Sequence, residues 1–223
     1  MSENSSSYLL PAELPAGWGA SCLGELVQFA PKPSASLVAS GVEVSYVPMA
    51  KVSEVSGEIQ CDETISATQG KKRSLTYFED GDVIFAKITP CMENGKSAVA
   101  KGLTNGAAFG SSEFHVMRVL PQLLPSYLWF VLVHDDFRYL AERAMTGAVG
   151  QRRVPRSFIE DYALLLPPLH EQREIVELLE RELGLLDLAM KAADRIEMEA
   201  KSFRRSLLHS AFNGELTREW REG

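Results

Sequence analysis

The amino-acid sequence predicts an α+β protein, in which a mostly β globular domain over residues 1–168 leads into a long coiled-coil-forming helix and tail over 169–223. Three observations predict it. Between residues 16 and 120, short runs rich in β-branched and aromatic side chains alternate with turns bearing Gly, Asn, Ser and Pro. After Pro167-Pro168 the chain holds no proline up to residue 212 and one glycine, Gly184. Over that stretch apolar residues return every three or four positions, which is the period of a helix face.

Residues 1–15 read as a polar lead-in ending at Leu14-Pro15. Strands are predicted at VEVSYVP (42–48), DVIFAKI (82–88) and EFHVMRV (113–119), separated by turns at Glu79-Asp80-Gly81, Glu93-Asn94-Gly95 and Thr104-Asn105-Gly106. The period changes at 125–143, where Leu128, Val131, Leu132, Tyr139 and Leu140 suit one buried amphipathic helix opening at Pro125-Ser126. A basic, glycine-containing loop is predicted over 146–156, and YALLLP (162–167) predicts the strand that closes the domain. The helix predicted over 169–212 starts where proline is tolerated and stops where Asn213-Gly214 permits a left-handed cap. Its apolar seam is Ile175, Leu179, Leu183, Leu186, Met190, Ala193, Ile196, Ala200, Phe203 and Leu207. At 1.5 Å per residue such a helix is about 65 Å long. A domain of this size does not bury a stripe of that length, so the pattern predicts a partner helix, with a helix folded back on its own domain as the other arrangement.

Composition narrows the function. With 45% hydrophobic and 24% charged residues the chain reads as globular, and no apolar run reaches the roughly 18 residues of a membrane span. MSENSSSYLLPAELP has neither the basic start nor the apolar stretch of a signal peptide, which predicts a cytoplasmic protein. Cys22, Cys61 and Cys91 are odd in number and far apart, arguing against a disulfide framework or a thiolate zinc site. The net charge of −7 argues against nonspecific coating of nucleic acid. Both parts share the deficit: 14 Lys+Arg against 18 Asp+Glu in residues 1–168, and 9 against 12 in 169–223.

Catalytic patterns are weak. Asn94-Gly95-Lys96-Ser97 resembles the end of a phosphate-binding P-loop, but Pro90 stands where that motif needs its first glycine. TGAVG (146–150) lacks the spacing of a dinucleotide loop, and no glycine-rich S-adenosylmethionine loop is present. His115, His134, His170 and His209 lack metal-ligand spacing, and His115 reads as a structural histidine within a strand. A Cys91–His115 nucleophile pair has no supporting pattern. Asp135 and Asp136 are neighbours on a predicted helix and point to different faces. No catalytic residue, metal site or cofactor is therefore predicted.

What remains is polar loop chemistry suited to DNA. GQRRVPR places Gln151, Arg152, Arg153 and Arg156 close together, and Arg and Gln are the side chains that pair bidentately with guanine and adenine edges. GKKR offers Lys71, Lys72 and Arg73 as phosphate contacts from a basic turn. FAKITPCMENGK (85–96) adds Lys87, Thr89, Asn94 and Lys96. On composition alone a solvated charged loop accounts for each cluster at least as well. Two further readings stay open: an adaptor whose globular domain binds protein and whose helix forms a coiled coil, and a small hydrolase.

Several segments in chain order resemble the specificity subunit of type I restriction-modification systems. These are LPAGW and LGEL (14–18, 23–26), FEDGDVIFAKITPCMENGK (78–96), SSEFHVMRV (111–119), TGAVGQRRVPRSFIEDYALLLPPLHEQREIV (146–176) and FRRSLLHSAFNGELTREWR (203–221). PPLHEQREIV together with SLLHSAFNGELT carries most of the specificity. The usual member has two recognition domains and two long helices, and this chain resembles one half of it. The resemblance implies a target recognition domain that binds double-stranded DNA, with no catalysis and no cofactor of its own. It also implies docking to modification subunits that use S-adenosylmethionine, with a restriction subunit using ATP and magnesium able to join. Two copies are then expected to form a homodimer through antiparallel helices.

Overall fold

The computed structural model describes residues 14–54, 56–148 and 150–223, and the chain divides into two units, Met1–Val176 and Glu177–Gly223. The first unit is built around two four-stranded sheets. One runs in the order β2 (Val27–Phe29), β9 (Phe114–Val119), β6 (Val83–Ala86), β7 (Ser97–Val99), antiparallel throughout. The other runs β4 (Thr64–Ser66), β3 (Glu43–Val47), β8 (Ala107–Gly110), β5 (Thr76–Glu79), with β3 and β8 parallel. A separate ribbon pairs β1 (Gly19–Cys22) with β10 (Ala163–Leu166).

The two-residue period of the strands sorts side chains into layers. Along β6, Val83 and Phe85 point into one core, and Ile84 and Ala86 into another. That second core lies between the sheets, where Val47, Phe78 and Ala108 meet Ile84, Ala98, Phe114 and Val116. On the far side of the β3/β8 sheet, Val44, Tyr77 and Phe109 pack with Leu37 of α1 (Ala35–Ser40) and Ala67 of α2 (Ala67–Lys72). On the far side of the β6/β9 sheet lie α3 (Pro125–Val133), α4 (Asp135–Ala144) and α5 (Arg156–Glu160), with Phe137 edge-on to Phe85. The order is helices, sheet, sheet, helices, and it leaves β6 buried on both faces. One ionic group sits among these layers: Asp82 is buried and receives Arg118 through two bonds of 2.7 and 2.8 Å. The Glu79 amide also donates to Asp82, at 2.8 Å, so the buried carboxylate is well satisfied.

The predicted strands at 42–48, 82–88 and 113–119 are observed as β3, β6 and β9. The helix expected over 125–143 is two helices. His134 is extended (φ −63°, ψ 139°), and its ring accepts from the Asp136 amide, restarting the chain as α4 with Asp135 and Asp136 in its first turn. The break resets the phase, so Phe137 and Ala141 are the buried residues of α4 while Tyr139 is exposed. The basic turn expected at 70–73 is the end of α2. Ser66 caps that helix by accepting from Gln69 N, and Gly70 lies so close to Phe109 that a β-carbon would come within 2.4 Å. Arg156, expected in the 146–156 loop, opens α5 instead, behind Pro155.

α6 (Leu169–Phe212) has 44 residues, with the bounds expected from the Pro-Pro and Asn-Gly signals. Its first two turns belong to the first unit. Gln172 is fully buried, accepting from Leu124 N and donating to the Gln122 and Pro167 carbonyls, all at 2.9 Å. Val176 and Ile175 pack in the α3/α4 core, so Ile175 is a domain residue, unlike the seam position expected for it. In the second unit Leu183, Leu186, Met190, Ile196, Phe203 and Leu207 are exposed. Asp187–Lys191 and Glu197–Lys201 form i,i+4 ion pairs along the helix. Gly214 (φ 74°) ends it, and α7 (Arg218–Glu222) follows.

Candidate nucleic-acid interface

Two of the three polar segments named by the sequence are brought together, at the ends of β6 and β9. Residues 87–89 continue β6 and run beside 152–154: Thr89 N donates to Arg152 O at 3.1 Å, and Val154 N to Lys87 O at 2.8 Å. Thr146 and Arg153 form an antiparallel bridge that closes the 146–153 loop. His115 of β9 lies beneath it with Nε2 2.9 Å from Val154 O, and burial pushes its imidazole below the usual range. That is a structural histidine, in keeping with its place in a strand.

The side chains of this region divide by what they already hold. Arg153 grips the Glu113 carboxylate through two parallel bonds of 2.9 Å, and this pairing holds the Glu113 carboxyl below its normal range. Arg152 turns inward to the Glu142 and Met145 carbonyls (2.7 and 3.4 Å), where it satisfies the C-terminal end of α4. Lys96, the lysine of the P-loop-like stretch, is half-buried and donates to the Met49 and Val52 carbonyls at 3.3 and 3.2 Å. Asn94 donates to Glu54 at 3.0 Å, and Thr89 to Glu93 at 3.1 Å. Lys87 reaches the Ser112 carbonyl at 2.7 Å. Arg156 pairs with Glu160 and lies over the Phe29 ring, 4.7 Å from its centre. Gln151 is exposed, and among the described residues its side-chain amide makes no hydrogen bond, while its backbone N–H donates to Ala148 O at 2.9 Å.

The third segment stands apart. Lys71 and Lys72 are exposed in the last turn of α2, where the helix dipole favours cations, and Arg73 stacks over Tyr46 of β3 at 5.2 Å. Among the described residues no hydrogen bond or ion pair links 71–73 to the 87–96 or 146–156 segments.

Sequence reasoning missed Glu113 and Tyr46. Glu113 lies just before β9, 40 residues from Arg153, and no local pattern marks it as that arginine's partner. Among the described residues no group of His, Cys, Asp and Glu could hold a metal ion, and no helix is long and apolar enough to cross a membrane.

The chain is 36% identical over 191 residues to the specificity subunit of the type I restriction enzyme EcoEI of Escherichia coli, covering 85% of this chain and 30% of that protein. It is 37% identical over 168 residues to the EcoAI specificity subunit, also from Escherichia coli, covering 74% and 28%. The chain thus spans less than a third of the length of these relatives. The fold matches the HsdS subunit of Thermoanaerobacter tengcongensis with a TM-score of 0.65 at 22% identity, over 80% of this chain and 45% of that one. It also matches a chain of a structure described as the basis of complex assembly and conformational transition of the type I R-M system. There the TM-score is 0.69 at 22% identity, over 91% of this chain and 50% of the other. The family described as the type I restriction modification DNA specificity domain matches residues 15–198, from before β1 to mid-α6, and the chain belongs to that family.

Proposed function

We propose that the chain reads one half-site of a bipartite DNA target for a cytoplasmic type I restriction-modification complex, without catalysis of its own. The first unit is the reader. Gln151, with the polar 87–96 and 146–156 segments around it, faces the bases, and Lys71, Lys72 and Arg73 contact phosphates. The second unit is the assembly element: its apolar face pairs antiparallel with a second copy and docks modification subunits, and a restriction subunit joins the assembled complex. The observation that carries this reading is the pairing, within a DNA specificity family, of a compact domain with a helix whose apolar residues stay exposed over its second unit. Modification subunits also supply phosphate contacts that a chain of net charge −7 lacks.

A two-fold pair of readers requires two half-sites in inverted order, separated by unread base pairs. The test is protection of such an interrupted palindrome by the full chain with its modification subunit, scored against one-base variants at several salt concentrations. Single-base changes in a half-site are expected to cost about 1–3 kcal/mol each. Lys71→Ala is expected to weaken all sequences alike and to reduce the salt slope by about 0.9. Equal affinity for every duplex, with binding to a protein ligand only, would make the chain an adaptor instead.

A further inference from the structure

The 146–156 loop is expected to offer a set of readers, yet Arg152 and Arg153 are already bonded to groups of the protein. Arg152 holds the carbonyls at the end of α4. Arg153 makes three bonds with one planar group: two to Glu113 at 2.9 Å, and a third from Nη1 to the carbonyl of Gln151 at 3.0 Å. A single side chain therefore ties the start of β9 to the backbone of Gln151. The loop is fastened again from within, since Gln151 N donates to Ala148 O at 2.9 Å. Gly147 has φ +118°, and a β-carbon there would stand 2.9 Å from Gln151 O, so the two ends of the loop close on each other. The Arg153 and Ala148 contacts hold the Gln151 backbone, and its side chain is left exposed.

We infer that Gln151 is the base-reading side chain of this loop and that Arg153, held by Glu113, is a positioning residue that aims it. The inference rests on the DNA-reading function proposed above and names its specificity determinant. A bidentate contact tolerates misplacement of about 0.5 Å, so a reader carried on a loop needs its backbone held from a rigid element. The fork of a guanidinium does this where an ammonium does not, because two parallel bonds and a third in the same plane match its fixed donors. Arg153 also neutralises Glu113, whose charge would otherwise stand beside DNA phosphates. A glutamine amide offers a donor and an acceptor side by side, which fits the N6 and N7 of adenine in the major groove.

The experiment selects from a pool of duplexes randomised across one half-site, using the full chain with its modification subunit. The proteins compared are wild type, Gln151→Ala, Gln151→Glu, Glu113→Gln, Arg153→Lys and Arg153→Ala, each with a salt series. Gln151→Ala is expected to lose about tenfold or more of the preference at one A·T position, and Gln151→Glu to move that preference toward C·G. Glu113→Gln, Arg153→Lys and Arg153→Ala are expected to erode the same position in the same direction, with the salt slope unchanged. If Arg153 itself contacts DNA, Glu113→Gln frees it and binding tightens, while Arg153→Ala lowers the slope by about one. That pattern overturns the positioning role. An unchanged base profile in Gln151→Ala, at an exposed site where folding is not at stake, overturns the reader. A flat profile for the wild type instead removes the DNA-reading function itself.

Discussion

Residues 169–176 and 177–212 belong to one helix and share one apolar period, yet their surroundings are opposite. In the first segment Gln172 and Val176 are buried and Ile175 is packed, and three hydrogen bonds fix Gln172 to backbone at 122–124 and 167. In the second, Leu183, Leu186, Met190, Ile196 and Phe203 are all exposed. The difference teaches that periodicity specifies a helix and a face, while the surface that covers the face is separate information. A run of exposed apolar residues this long is the feature on which the proposed helix pairing rests.

The comparison breaks most sharply in the core of the first unit. Phe137 is fully buried among Phe85, Phe158 and Tyr162, so Phe137→Ala is expected to destabilise that unit by about 3–5 kcal/mol in a denaturant titration. Helix pairing of the protein that remains folded should be unaltered in sedimentation. Leu186→Glu is the converse. A charge in a packed seam must lose its water without gaining a partner, and the dimer should weaken by about 2 kcal/mol or more. Unfolding of the first unit should stay within about 0.5 kcal/mol of wild type. A dimer that survives this change is held by some other face, and the two segments of the helix are then less different than described.

The smallest effect concerns pH. Burial depresses the His115 imidazole below its ordinary value of 6.5. The unfolded chain therefore takes up this proton first as pH falls. The contribution is flat above pH 6.5 and is lost below it, down to the folded-state value, at about 1.4 kcal/mol per unit of depression. As pH falls below 6.5 the first unit should lose stability, and His115→Gln should remove that part of the slope. Glu113 acts lower: its depressed carboxyl costs stability only as pH falls below about its normal value of 4.5. An equal slope in the His115→Gln variant would show that the histidine is better solvated than its contact with Val154 implies.

What the sequence made legible follows from how local the causes are. The bounds of α6 were readable because Pro167-Pro168 and Asn213-Gly214 act on their own neighbours. β3, β6 and β9 were readable because Val, Ile and Phe cluster there. The break at His134 was not, because it depends on one ring accepting from one amide two residues on. The parallel pairing of β3 with β8 and the pairing of β1 with β10 join segments far apart in the chain, which no periodicity encodes. At the candidate interface the residue types were legible, but the groups each side chain bonds within the protein were not. Arg152 and Arg153 read alike in sequence, and only the fold brings the one to the Glu142 and Met145 carbonyls and the other to the Glu113 carboxylate. That Lys96 donates to the Met49 and Val52 carbonyls, more than 40 residues away, is likewise set by the fold and by no local pattern.

The ribbon of β1 and β10 sets Gly19 opposite Leu166 and Cys22 opposite Ala163, so the chain enters the globular unit beside the point where it leaves. A fold closed in this way behaves as a cassette. It can be spliced into a longer polypeptide, repeated in tandem or exchanged for another of its kind without cutting a strand pair inside it, because the host needs to bridge only the few ångströms between its ends. Relatives of which the matched part is less than a third are the kind of host in which such a module fits.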